Sequence, residues 1–169
     1  MKSEHLLRYF AYGSNLWWPR LRGRIPSAER VSAACLYGFE LQFRKIGGDG
    51  SAKADLHFTG WRSHVVHGVI YAIAAEELPV LDRIEGGYHR ASVCLDHAGG
   101  TLWAFTYLAS EPAPQPFAPF DWYRELILAG GHDHHLPKSY LQKLAAVETV
   151  PDSDRDRHGI NWPQRLAAE

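Results

Sequence analysis

The sequence has only two cysteines and one methionine in 169 residues, and it has neither a long apolar run nor an excess of charge. Cys35 and Cys94 are too few for a disulfide framework, and both lie in apolar strand-like segments, where we expect buried thiols. No run approaches the roughly 20 apolar residues of a membrane span. The N-terminal stretch MKSEHLLRYF is too short in apolar residues for a signal peptide. These absences predict a soluble, cytoplasmic protein without a membrane partner.

The charges are nearly balanced, with 18 lysines and arginines against 19 aspartates and glutamates. Binding to nucleic acid depends on an excess of positive charge, so no nucleic-acid partner is expected. The length and an apolar fraction of 46% suffice for one domain with its own core. We place that domain at residues 1–150 and expect residues 151–169 to form a polar tail over its surface.

The hydrophobic pattern predicts strands in most of the first two thirds of the chain and helices at the end. Because strict alternation of strand and helix is missing, the order favours an α+β fold around a curled or barrel-like sheet. The composition of residues 46–55 predicts a loop. Strands are predicted at 6–12, at 31–45 with a break at Gly38, at 67–73, and in a hairpin of 91–96 with 101–109; helices are predicted near Pro19, over 75–84, over 119–131 with Asp121 as N-cap and a glycine pair at the end, and over 136–148.

The segment FAYGSNL ends a predicted strand in Gly13, Ser14 and Asn15, which fit a strand poorly. Glycine followed by small polar residues lets successive backbone N–H groups converge, and such a nest holds a carboxylate or a developing oxyanion. An ordinary turn in which Ser14 or Asn15 caps the next helix explains the same residues. The segment alone leaves both interpretations open, with the turn the commoner.

Glu85 follows the predicted helix 75–84, one turn after Leu81. Burial and the negative end of the helix dipole both oppose ionisation, so we expect a raised pKa, as a general acid or base at neutral pH requires. The alternative is a surface glutamate paired with Arg83 or Arg90.

Four consecutive residues, His132 to His135, raise the question of a metal site. Neighbouring residues in a loop rarely point at one ion, and the sequence has no recognisable ligand spacing around them. We therefore expect a solvated loop at a helix end and no metal, with a hydrolase that uses His132, His134 and His135 as a distant alternative.

Three motifs together resemble the γ-glutamylcyclotransferase family, which includes γ-glutamylamine cyclotransferases and AIG2-like proteins. They are YFAYGSNL at 9–16, LDRIEGGYHR at 81–90, and a late helix FDWYRELILAGG followed by HHLPKSYLQKL. Their order and spacing match the family from Tyr9 to about Val150.

The resemblance implies an α+β fold with a mixed β-barrel flanked by a few helices. It also implies an enzyme that releases 5-oxoproline from a γ-glutamyl compound, as in glutathione metabolism, without a cofactor or metal, and as a monomer or homodimer. Glu85 would be the catalytic acid and base. The substrate-binding residues that it implies are Tyr9, Tyr12, Gly13, Ser14, Asn15, Leu16, Tyr88 and Tyr123.

The short segment from Glu85 to Arg90, with its Y-x-R ending, resembles γ-glutamylamine cyclotransferases more than the enzymes that act on γ-glutamyl amino acids. The leaving group, amino acid or amine, therefore stays open. The resemblance also makes glutathione a less favoured substrate, because the glutathione-specific branch usually carries a variant of the YGSN sequence without the asparagine that is Asn15 here. A catalytically silent small-molecule-binding module on the same fold is the alternative function, since fold does not determine function.

Overall fold

The computed structural model describes residues 5–164, so the first four residues of the N-terminal stretch and the last five of the predicted tail lie outside the described residues. Its strands are β1 Leu6–Ala11, β2 Glu29–Tyr37, β3 Phe39–Ile46, β4 Ala52–Phe58, β5 Val65–Ala74, β6 Tyr88–His97 and β7 Gly100–Ala109. Its helices are α1 Trp18–Arg24, α2 Leu78–Ile84, α3 Asp121–Asp133, α4 Lys138–Ala145 and α5 Arg155–Asn161. Within residues 5–164, no helix has the length and apolarity needed to cross a membrane.

Five strands close into a barrel in the order β1, β5, β2, β6, β7. The barrel is mixed, because β1 and β7 pair in parallel, with Tyr9 opposite Phe105, whereas the other neighbours are antiparallel. β1 lies close to β5 because residue 68 is glycine: a Cβ there would lie 2.4 Å from the Ala11 carbonyl oxygen. The predicted α+β fold with a mixed barrel, and the predicted β6–β7 hairpin, are confirmed.

The predicted break at Gly38 separates two strands of different sheets. Gly38 has a φ of 82°, which glycine adopts without steric cost. The chain therefore turns sharply after β2, a barrel strand, and continues as β3, which pairs with β4 in a separate two-stranded sheet.

The prediction of a loop over 46–55 is wrong in its second half, where β4 begins at Ala52. Alanine, lysine and aspartate are depleted in strands, so the composition of this segment does not indicate β4. Pairing with β3 and burial of Ala52, Ala54 and Leu56 stabilise the strand in place of local propensity.

The prediction for α3 is wrong at both ends. The N-cap is Phe120, and Asp121 is the first helical residue; the glycine pair lies inside the helix. A Cβ at Gly130 would lie 2.3 Å from the Leu16 carbonyl carbon, and one at Gly131 would lie 2.4 Å from Leu141 Cδ2. These glycines therefore permit close packing and do not end the helix.

The expected burial of both thiols is also wrong. Cys94 is exposed on the outer face of β6, opposite Trp103 of β7, whereas its neighbours Val93 and Leu95 point into the core. Side chains alternate between the two faces of a strand, so an apolar run does not bury each of its members. Cys35 is half-buried in β2.

Candidate active site

The segment Tyr12 to Asn15, here called the YGSN loop, follows β1, whose last residues, Phe10 and Ala11, are fully buried in the barrel. A single 3-10 turn from Ser14 to Leu16 follows, closed by Leu16 N–H donating to the Gly13 carbonyl at 3.0 Å. Among the hydrogen bonds of residues 5–164, none uses the N–H groups of Gly13, Ser14 or Asn15. Three successive backbone donors are thus free to hold an anion at this loop.

Glu85 stands directly after α2, a helix that is anchored by the fully buried Leu81. The Glu85 N–H donates to the Leu81 carbonyl at 2.9 Å, and the half-buried side chain faces the YGSN loop. There, Asn15 Nδ2 donates to Glu85 Oε1 at 2.8 Å. The two motifs, 70 residues apart in sequence, therefore meet in one hydrogen bond.

The amide of Asn15 is oriented by its neighbours. Arg24 Nη1 donates to Asn15 Oδ1 at 3.2 Å, and a guanidinium has no acceptor, so the amide oxygen must face α1. The amide nitrogen then faces Glu85, and it also donates to the Tyr9 hydroxyl at 3.1 Å. Arg24 thereby fixes which end of Asn15 meets the carboxylate.

Burial raises the pKa of Glu85 above the ordinary glutamate value. Arg24, the hydrogen bond from Asn15, Arg20 and Lys45 oppose this rise without cancelling it. Within residues 5–164 no basic side chain lies within 4.0 Å of the carboxylate, and Arg90 instead pairs with Asp82 at 3.1 Å. The structure therefore does not show the alternative, a surface ion pair of Glu85 with Arg83 or Arg90.

Tyrosines form most of the wall opposite Glu85. Tyr88 Oη donates to the Ala54 carbonyl at 2.6 Å, and Tyr123 Oη accepts from the Ala54 N–H at 3.1 Å. Burial raises the pKa of Tyr123 to about 12 and that of Tyr88 well above its ordinary value, so both hydroxyls are neutral at physiological pH. The wall presents fixed neutral hydroxyls to whatever the pocket holds.

The resulting pocket is small, with about 290 Å³ of empty space that includes part of the open solvent at its mouth. It is lined by Tyr9, Tyr12, Gly13, Ser14, Asn15, Ala54, Glu85, Tyr88, Tyr107 and Tyr123. Eight of the nine predicted site residues thus lie around one cavity.

The exception is Leu16, which is fully buried beneath the loop and does not line the cavity. Sequence reasoning missed Ala54 and Tyr107. Ala54 lies in β4, where the composition predicts a loop, and alanine carries no functional signal. Tyr107 lies inside a regular strand, where an aromatic residue indicates packing before binding.

The histidine segment does not form the expected solvated loop as a whole. His132 and His135 are exposed, but His134 is buried and hydrogen-bonded within the fold. In the part of the chain that the structure describes, no three His, Cys, Asp or Glu side chains are grouped as a metal would require.

Comparison with known proteins matches both the sequence and the fold. A model of the AIG2-like family matches residues 65–144. Human γ-glutamylcyclotransferase is 29% identical over 157 residues, covering 86% of this chain and 80% of the relative. The mouse protein of the same name is 28% identical over 155 residues, covering 83% and 78%. A solved structure of a γ-glutamyl cyclotransferase superimposes with a TM-score of 0.82 at 26% identity, over 93% of this chain and 98% of that one. The resemblance inferred from the three motifs is confirmed.

Proposed function

We propose that this γ-glutamylcyclotransferase-like enzyme cyclises a γ-glutamyl amino acid or γ-glutamyl amine to 5-oxoproline and the free amine, with Glu85 as general acid and base. The observation that carries the proposal is the 2.8 Å hydrogen bond from Asn15 to Glu85 at a small, tyrosine-lined pocket. It joins the loop that carries three free backbone donors to Glu85, the one carboxylate that lines this pocket among the described residues. The similarity to the human and mouse γ-glutamylcyclotransferases supports the same substrate class.

The reaction is intramolecular, since the substrate's own α-amine attacks its γ-carbonyl carbon to close a five-membered ring. Holding the two groups in one molecule removes most of the entropic cost of bringing them together. The remaining obstacle is the extra proton on the α-amine, because an ammonium group has no lone pair and cannot attack. A base must first take a proton, and a carboxylate with a raised pKa does so more effectively at neutral pH than an ordinary one.

The protons balance without a co-reactant. The attacking nitrogen goes from NH₃⁺ to the N–H of the ring, while the departing nitrogen goes from an amide N–H to NH₃⁺. Two protons therefore pass from one nitrogen to the other as the ring C–N bond forms and the original amide C–N bond breaks. Glu85 is proposed to carry them, and no metal or cofactor is needed for these steps.

The free N–H groups of Gly13, Ser14 and Asn15 are proposed to hold the γ-glutamyl group. They would bind either the oxyanion of the tetrahedral intermediate or the α-carboxylate. Gly13 fits this role because a Cβ there would lie 3.3 Å from the Tyr123 hydroxyl and crowd the pocket. Tyr9, Tyr12, Tyr88 and Tyr123 would contact the substrate through their hydroxyls and rings.

The assay that tests this proposal measures 5-oxoproline and free amine released from a panel of γ-glutamyl amino acids, γ-glutamyl amines and glutathione. The wild type should release the two products in equal amounts, and the best panel member identifies the leaving group. Glu85→Gln should lower kcat by about a hundredfold or more, the scale of lost acid–base catalysis. Glu76→Gln, an exposed glutamate just before the same helix, is the matched control and should retain wild-type activity.

Equal activity of Glu85→Gln and wild type would overturn the role of Glu85. The alternative of a silent binding module would be favoured if no panel member turned over while a carboxylate ligand still raised the melting temperature.

A further inference from the structure

The Leu16 carbonyl, directly after Asn15, is held by two side chains from distant elements. Tyr71 Oη of β5 lies 3.0 Å from the Leu16 oxygen, and His134 Nε2, at the end of α3, also lies 3.0 Å from it. Tyr71 Oη and His134 Nε2 are themselves 2.8 Å apart. Tyr71 is fully buried and His134 is 7% exposed, so these hydrogen bonds do not compete with water.

A third side chain fixes the proton on His134. Arg30 Nε of β2 donates to His134 Nδ1 at 3.1 Å. Because a guanidinium only donates, Nδ1 must accept, and the single proton of the neutral ring lies on Nε2. Nε2 therefore points a donor at Leu16 and Tyr71. Burial, with the charge of Arg30, lowers the pKa of His134 and keeps the ring neutral.

Helix α3 reinforces this contact through its backbone. Gly130 brings the helix so close that a Cβ there would lie 2.5 Å from the Trp17 nitrogen, on the other side of Leu16. Asn15 is covalently next to Leu16, and its hydrogen bond to Glu85 is already 2.8 Å long. A shift of Asn15 Nδ2 by about 1 Å away from Glu85 would carry that contact beyond hydrogen-bonding range, so the position of the neighbouring Leu16 matters to it.

We propose that Arg30, Tyr71 and His134 act together as positioning residues, here called the loop clamp, which holds Asn15 against Glu85 although none of the three lines the pocket. The clamp gives the histidine segment a role that its sequence did not indicate. The effect of the loop clamp on turnover rests on the proposed function. Its effect on the position of the YGSN loop does not.

Several charged and titratable groups surround the two ends of this arrangement. Those acting on Glu85 are Arg20 and Arg24 of α1, Lys45 of β3, Asn15 through its hydrogen bond, and Tyr9, Tyr12, Tyr88, Tyr107 and Tyr123 on the surrounding elements. Those acting on His134 are Arg30, Asp133 and His135, with Tyr71 in contact. None of the clamp variants below removes a group that acts directly on Glu85.

The first test measures the pH profile of kcat/KM for Tyr71→Phe and His134→Ala against His132→Ala and Tyr37→Phe, two substitutions at exposed side chains. We expect kcat/KM to fall about tenfold in the clamp variants, the scale of one buried hydrogen bond. The acid limb should move to higher pH, because the hydrogen bond from Asn15 lowers the pKa of Glu85 and its loss lets that pKa rise. His134→Gln, which keeps an amide donor, should recover part of the loss. An unchanged acid limb in both clamp variants would overturn the proposal, because damage to packing alone lowers stability without moving it.

The second test needs no substrate and separates the clamp from the proposed function. Amide hydrogen exchange of residues 13–18 should be about tenfold faster in Tyr71→Phe and His134→Ala, and unchanged in the two controls. Tyr71→Phe keeps the ring and its packing, so it is expected to fold even if His134→Ala does not. Failure of the wild type to release 5-oxoproline would overturn the proposed function and leave this measurement decisive for the clamp. Unchanged exchange in folded variants would overturn the clamp.

Discussion

Glu85 is one carboxylate facing a wall of neutral hydroxyls, and its chemistry is set by what surrounds it. Burial disfavours its charged form, while Asn15 and the cations of α1 partly restore that form. A surface glutamate is not buried, so its pKa is not raised. A glutamate in a salt bridge has its charged form stabilised so strongly that its pKa falls. The intermediate situation suits a group that must both accept and return a proton.

This environment makes a prediction about stability. Since the folded-state pKa of Glu85 is raised, the folded protein binds its proton more tightly than the unfolded chain does. Stability is therefore lost as pH rises from the unfolded-state pKa through the folded one, and the ionised side chain costs stability at pH 7. Glu85→Gln should melt at a higher temperature than the wild type at pH 7, with a smaller difference at pH 4. Thermal melts at both pH values check this, with Glu76→Gln as control, and a lower melting temperature at pH 7 would contradict it.

The sequence predicted Glu85 and the YGSN loop, but it could not predict how they meet. The position of Glu85 after a helix and the small residues after β1 are local features that a sequence displays. The orientation of Asn15 depends on Arg24, and the placement of Leu16 depends on Tyr71 and His134. Contacts across such distances in the chain carry no local pattern.

Among the elements, the strands with β-branched and aromatic residues followed the prediction, and the exception was β4. Its alanines and charged residues are poor strand formers, so only pairing with β3 and burial define it. Helix α3 differs for a related reason. Its two glycines resemble a helix end in sequence, but their function is close packing on Leu16 and Leu141.

Substitution of Gly130 tests that packing. The Cβ of Gly130→Ala would meet backbone atoms of Leu16 and Trp17, which cannot move without moving the YGSN loop. We expect a loss of about 1–3 kcal/mol in the free energy of unfolding, the usual cost of overpacking, together with lower activity. The control is Gly159→Ala in α5, where a Cβ would meet nothing within 4 Å. This substitution should stabilise the helix slightly, because alanine has a higher helix propensity than glycine. Denaturant unfolding measures the free energy of unfolding of both variants. Equal values for Gly130→Ala and Gly159→Ala would contradict the close packing proposed for α3.

At the scale of the whole molecule, the segment after Val150 is tied to the site-bearing helix α3. The buried Asp152 accepts from Trp122 Nε1 at 2.9 Å and from Arg157 Nε at 2.6 Å. Arg20 of α1 reaches the same region, with Nη1 donating to Asn161 Oδ1 at 2.9 Å. The polar composition of this segment did not reveal these contacts.

Asp152 makes the stability of the whole molecule depend on pH in the opposite sense to Glu85. Its pKa is held well below the ordinary value, chiefly by Arg157, so its contribution is present above the unfolded pKa and is lost as pH falls through the folded one. Asp152→Asn should lower the melting temperature at pH 7, and the difference should narrow on acidification. Asp156→Asn, at an exposed position of α5, serves as control. A difference that stays constant with pH would contradict the assignment.

The central proposal is that Glu85 transfers protons during ring closure, in a pocket that the barrel and the YGSN loop form around it. The most direct measurement follows 5-oxoproline release and ligand-induced melting shifts together, for wild type and Glu85→Gln, with the best γ-glutamyl substrate of the panel. The expected result is that the substrate raises the melting temperature of both proteins, while Glu85→Gln releases 5-oxoproline about a hundredfold or more slowly than the wild type. Release at the same rate by Glu85→Gln would contradict the central role given to this residue.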